Sequence, residues 1–168
     1  MASARKYTFD NTGPPAIMLG APARRIRALR DIPEHGVRAG DLGGLIQSED
    51  NLSQRDASWI CCHAAAIGQS RVEGDALAHG YATLTDYAVA TDRAVLSGYA
   101  RARGHAMIEG SAQLSDMACA EGRVVLGGTL SASGALALVG DETYLDDGDL
   151  PFSLSGLKKW FVYQSTEK

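Results

Sequence analysis

Between Gly68 and Gly140 the apolar residues come in pairs two positions apart, and the pairs recur every six residues. The first member is small, as in Ala76, Ala82, Ala88, Ala94 and Ala100. The second is Ala or a larger aliphatic, as in Ala78, Leu84, Ala90, Leu96 and Ala102. A spacing of two puts both members on one face of a β-strand. The three-and-four spacing of an amphipathic helix is missing. Every sixth residue between the pairs is Gly or Asp, from Gly68, Gly74 and Gly80 through Asp86 and Asp92 to Gly134 and Gly140. Gly accepts positive φ freely, and Asp tolerates it better than most residues. The pattern predicts short strands alternating with corners. It is the signature of a solenoid, in which each unit buries its apolar face only by stacking on its neighbours.

The frame extends N-terminally. Asp56-Ala57-Ser58-Trp59-Ile60 and Cys62-His63-Ala64-Ala65-Ala66 fit it, and Asp50-Asn51-Leu52-Ser53-Gln54 fits loosely. Residues 56–139 hold fourteen hexads. Before them, Lys6-Tyr7-Thr8-Phe9 reads as a short strand and Asn11–Pro15 as a turn. Residues 24–32 alternate Arg25, Arg27 and Arg30 with Ile26, Ala28 and Leu29, a second strand with a short helix as the alternative. Pro33 to Gly44 reads as a Gly-rich loop. The division expected is a capping segment over 1–49, the solenoid over 50–140, and an acidic loop with a C-terminal cap or oligomerisation segment over 141–168. Both ends of a solenoid expose strand edges, so both call for covers.

The hexad pattern resembles the hexapeptide-repeat proteins, whose fold is a left-handed parallel β-helix with three hexads per coil. The usual motif sets its Gly directly after the large aliphatic residue. Here Gly comes one place later, as in Leu96-Ser97-Gly98-Tyr99-Ala100. That variant is similar to the YdcK-like branch, which is common in bacteria and prophages. The stretches Arg27–Ile32, Gly40–Gly44 and Glu49–Ser53 resemble the same branch. The resemblance implies an all-β fold, an 18-residue coil of triangular section and, over 56–139, about four and two-thirds coils, in round terms five. At the spacing of stacked strands those coils would stand roughly 22 Å tall.

An 18-residue coil stacks residues eighteen apart. Just after the corners this makes ladders of His63, Tyr81, Tyr99 and Met117, and of Gln69, Tyr87, His105 and Arg123. In mid-strand it makes ladders of Val89, Met107 and Val125, and of Trp59, Leu77 and Val95. Tyr81, Tyr99 and Met117, and Val89, Met107 and Val125 with Tyr87, are apolar for outward sites. Such patches on a small body point to contact with another protein chain. By the resemblance the expected assembly is a homo-oligomer, a trimer or a dimer.

Composition narrows the remaining choices. Aromatics make up 7% of the 168 residues and Gly is raised to 19, as a slim core of Ala and Leu requires. The net charge of −4 argues against direct nucleic-acid binding, which needs a basic surface. No run is long enough to span a membrane and no signal-peptide pattern is present, so a cytoplasmic location is expected. Cys61, Cys62 and Cys119 are an odd count and give no disulfide framework. Arg24, Arg25, Arg27, Arg30 and Arg38 precede the solenoid, while Asp141, Glu142, Asp146, Asp147 and Asp149 follow it. A basic end and an acidic end are expected, the acidic one fit for a basic partner. The aromatic tail, with Trp160 and Phe161, is expected to cap the last coil or to pass to another subunit.

Catalysis is a second reading. Hexapeptide-repeat acyltransferases use a histidine base in a groove between subunits. The resemblance would give that role, with acetyl-CoA as cosubstrate, to His79 or His105. No long loop interrupts 68–140 to build an acceptor site, however, and no polar group is obviously placed to orient either histidine. Cys61-Cys62-His63 looks like a metal cluster, but successive strand residues point to opposite faces, so no metal or cofactor is expected. Isolated Asp corners lack the second carboxylate of a calcium motif, and backbone geometry suffices to explain them. The leading expectation is a non-catalytic protein-binding or scaffold β-helix. Its concrete form would be a phage- or prophage-borne inhibitor of a host defence complex.

Overall fold

The computed structural model describes residues 4–145. The first strands pair antiparallel. Strand β1 (Tyr7–Phe9) and strand β2 (Ala16–Met18) both lie against strand β3 (Ala21–Ala28), which pairs on its other side with β4 (Leu42–Ile46). Leu19 and Gly20, both at positive φ, close the β2–β3 hairpin. The strands expected near residues 6–9 and 24–32 are present. The segment Pro33–Gly44 is not all loop. It holds a 3₁₀ turn over Pro33–His35 and the start of β4.

Strand β4 begins the solenoid. It pairs parallel with Ala65–Ala66 and heads a ladder that runs through Thr83–Leu84, Arg101–Ala102, Cys119–Gly122 and Ala137–Gly140. A second ladder joins Arg71–Val72, Val89–Ala90, Met107–Ile108, Val125–Leu126 and Thr143–Tyr144. A third joins Trp59–Ile60, Leu77–Ala78, Val95–Leu96, Gln113–Leu114 and Ser131–Ala132. Partners stand eighteen residues apart from Trp59 onward, so each coil uses three hexads. The result is an all-β parallel solenoid of about 6 turns. At the spacing of stacked strands it stands roughly 29 Å tall. Inward positions such as Ala76, Ala82, Leu84, Leu96 and Leu114 are fully buried. Among the described residues no helix is long and apolar enough to cross a membrane.

The count exceeds the expected five because a coil was hidden at the N-terminal end and a further rung at the C-terminal end. Leu45 pairs with Ala65, and Leu52 bridges Val72, each twenty residues on. Trp59 to Leu77 has already returned to eighteen. The two extra residues therefore fall between Leu52 and Trp59, which throws the first coil out of the hexad frame. At the other end, Thr143–Tyr144 pairs with Val125–Leu126 past the expected boundary at 140.

The segment with the two extra residues holds the N-terminal strands. Gln54 accepts the Lys6 N–H at 2.8 Å and the Tyr7 N–H at 3.3 Å, and its amide donates back to the Tyr7 carbonyl. The Tyr7 hydroxyl donates to the Leu52 carbonyl at 2.7 Å. The Lys6 ammonium is fully buried and donates to the Ser58 carbonyl at 2.6 Å and the Ser58 hydroxyl at 3.1 Å, with Asp56 at 3.5 Å. Burial lowers the Lys6 pKa to about 8, against the opposing charge of Asp56. Burial also pushes the Asp56 carboxyl up. Hydrogen bonds from Ser58, Ser53 and Gly74 outweigh that and leave it below its usual range. Burial, helped by Glu49, raises the Tyr7 phenol.

The Asp corners do more than tolerate positive φ. Asp86, Asp92 and Asp116 sit at φ near +57°. Each carboxylate accepts the corner N–H one coil later, from Gly104, Gly110 and Gly134, all at 3.0 Å. Asp56 does the same for Gly74 at 2.8 Å. No corner directly above an Asp carries a side chain.

Candidate functional site

The two expected ladders form, and ring stacking builds them. The rings of His63 and Tyr81 stack at 4.8 Å with 10° between planes. Tyr81 and Tyr99 stack at 4.9 Å and 7°, and Tyr87 and His105 at 4.7 Å and 3°. These distances match the rise of one coil, so the parallel backbone sets the stacking geometry. The ring faces are spent on one another, and the edges and hydroxyls point outward. Tyr81, Tyr87, Tyr99 and Met117 are between 49% and 61% exposed; Ile17 and Leu19 at the β2–β3 hairpin are also exposed, but these four stand together on the ladders. The first ladder leads into the sheet headed by β4, the second into the sheet of Val89 and Met107. The β4 sheet is thus bracketed by aromatic edges. Its outward side between them carries Thr83 and Arg101, and the Arg103–Glu121 ion pair at 2.5 Å.

Val89, Met107 and Val125 stand in register beside Tyr87, and each is half-buried. They make a shallow apolar strip that ends at Arg71 and Thr143. The outward ladder that starts at Trp59 differs from expectation. Trp59 is only 1% exposed, with its ring edge-on to Tyr7 at 6.5 Å. The N-terminal strands cover this first rung. Ala65 and Ile67 also hold outward places, and Ala16, Met18 and Ala21 of the β2–β3 hairpin pack over their cluster. The N-terminal segment therefore reserves the lower rungs for itself and leaves the tyrosine rungs open.

His79 and His105 are on different faces. His105 is exposed and stacked on Tyr87. His79 lines a hollow of about 460 Å³ between the loop carrying His35, Val37, Asp41 and Leu42 and the rungs of Trp59, Cys61 and Leu77. His35 Nε2 is buried there with no hydrogen-bond partner. Burial lowers the His35 pKa, while the Asp75 backbone acts in the opposite sense. Sequence reasoning missed this hollow because its loop, over 35–42, and its floor, over 59–79, belong to different parts of the chain. Nothing in the hexad frame links them.

The basic end is largely spent on structure. Arg25 donates to the carbonyls of Gly43 and Cys62, both at 2.8 Å. Arg27 reaches the Gly40 carbonyl at 2.7 Å and Asp10 at 3.2 Å. Arg30 donates to the carbonyls of Arg55 and Asp56. Of the five, Arg24 and Arg38 are exposed and the other three are half-buried. Of the acidic end, Asp141 and Glu142 are described. Asp146, Asp147, Asp149, Trp160 and Phe161 lie outside the described residues. Among the described residues no three His, Cys, Asp or Glu side chains converge as a metal site. No family model matches the sequence, and no curated protein matches it at a significant level.

Proposed function

We propose that this chain is a non-catalytic protein-binding scaffold that presents its two aromatic edges to a partner protein. A second copy of the same chain is the first partner to test, as a dimer or trimer. The observation that carries the reading is the exposure of Tyr81, Tyr87, Tyr99 and Met117 on stacked rungs. Aromatic side chains already fixed by stacking lose little further rotamer freedom on association, which favours affinity. Their exposed edges pair an apolar rim with hydroxyls, the composition enriched at protein interfaces. The left-handed, YdcK-like form of the solenoid rests on the sequence resemblance. So does the more specific role of an inhibitor of a host defence complex.

The acyltransferase reading gains nothing from the placement of the histidines. His105 is committed to a ring stack, and His79 faces a hollow that the N-terminal loop partly roofs.

Sedimentation velocity over a concentration series tests the proposal. The native chain is expected to self-associate. Tyr81→Ser/Tyr99→Ser is expected to shift the dissociation constant at least tenfold with an unchanged circular dichroism spectrum. A monomer at every concentration removes the homo-oligomer. An unchanged constant in the variant removes the ladder as its interface. Calorimetric binding of acetyl-CoA, lost in His79→Ala or His105→Ala, would replace the scaffold reading with the enzyme.

A further inference from the structure

Cys62 occupies a corner. It sits six residues before Gly68 and has φ +61°. Asp86, Asp92 and Asp116 hold the same left-handed backbone and use their carboxylates to bond the next coil. A cysteine in that conformation has no carboxylate to offer. What its conformation achieves is different: Cys62 Sγ lies 3.3 Å from Cys61 Sγ. Cys62 is exposed, and Cys61 is half-buried at the edge of the hollow that His79 lines. Arg25 grips the carbonyl of Cys62 and ties this dipeptide to Gly43 of β4. The thiol pair therefore sits where the N-terminal segment joins the solenoid, with one sulfur open to reagents and the other directly behind it.

We propose that Cys61 and Cys62 act as a vicinal dithiol that low-molecular-weight disulfides oxidise reversibly to an intrachain disulfide. The exposed Cys62 thiolate attacks one sulfur of the small disulfide. That S–S bond breaks, one small thiolate leaves, and a mixed disulfide stands on Cys62. Cys61 then gives its proton to solvent and attacks Cys62 Sγ, expelling the second small thiolate. The two protein thiols lose two electrons, and the small disulfide is reduced to two thiols. Burial, with the adjacent Cys62, raises the Cys61 thiol pKa, so Cys62 reacts first and ring closure is the slower step. Neighbouring Cα atoms stand closer than the usual disulfide range. The bond is therefore strained and easily reduced, as suits a labile couple rather than a structural staple.

The test uses the whole native chain. It is incubated with excess oxidised glutathione, alkylated and digested with trypsin, and the peptide from Asp56 to Arg71, which holds both cysteines, is weighed. The expected peptide has lost two hydrogens, carries no glutathione and no alkyl group, and regains two alkylatable thiols after dithiothreitol. Cys119 falls in a different peptide and does not confuse the reading. A glutathione adduct that persists on Cys62 without closure overturns the proposal. So do two alkylated thiols after oxidation, or a disulfide to a second chain.

Discussion

Asp86, Asp92 and Asp116 hold backbone conformations that cost a non-glycine residue roughly 1–2 kcal/mol, and each offsets this by accepting the N–H of the corner above. Asp92→Ala keeps the strain and loses the acceptor, so it should destabilise by about 1 kcal/mol. Asp92→Gly loses both and should lie close to the native chain. Urea unfolding midpoints separate the two: equal losses in both variants would show that the backbone strain contributes nothing, and no loss in Asp92→Ala would show the same of the carboxylate. Lys6 gives a second residue-scale prediction. Its folded pKa of about 8 lies below the ordinary 10.5. Between those values the unfolded chain holds a proton that the folded chain has released, so stability rises with pH, by up to about 1.4 kcal/mol per pH unit. Tyr7 acts the other way. Its phenol stays protonated in the fold, so stability falls as pH rises past the ordinary tyrosine value near 10. Denaturant titrations from neutral to strongly alkaline pH should show a maximum between these limits. In Lys6→Met the rising limb should flatten. An unaltered limb would mean that Lys6 is not the titrating group.

At the scale of elements, the junction between β4 and the first coil is the most constrained contact. A Cβ on Gly43 would stand 2.5 Å from Ile26 Cγ1, 2.7 Å from Trp59 Cζ2 and 2.8 Å from the Ile60 carbonyl oxygen. Gly43→Ala should therefore cost about 1–3 kcal/mol and loosen the N-terminal strands. Faster amide exchange in β1, β3 and β4 than in the middle coils is the expected outcome. Uniform exchange across the chain would show the junction is not the weak point. This junction also marks where reading the sequence runs out. The hexads were legible because corner and inward residues repeat locally, every six positions. The first coil was not, because two extra residues between Leu52 and Trp59 break the period and β4 looks like a glycine-rich loop. The Lys6–Asp56 and Tyr7–Leu52 contacts span more than forty residues, so no local pattern announces them. The tyrosine ladders could be found by counting in eighteens. The hollow under His35 could not, since a loop outside the repeat roofs it.

For the whole molecule, the three ladders turn position in the chain into position on a surface with fixed arithmetic. Lengthening or shortening the gene by whole coils and by single hexads then has different consequences. Removing six residues between Tyr81 and Tyr99 leaves every corner and every inward alanine in phase, so the core survives. It also turns everything downstream by a third of a revolution. Tyr99 would take the place now held by Arg93, above Asp75, and the stack on Tyr81 would be lost. Removing eighteen residues shortens the body and leaves each downstream face where it was. A matched pair of such deletions therefore separates what the fold requires from what recognition requires. Both variants should fold with similar circular dichroism, and only the six-residue deletion should abolish association. If both associate, the aromatic edges are ornament to the fold. If only the eighteen-residue form does, the heritable unit of this protein's surface is the full coil, three times the unit of its core.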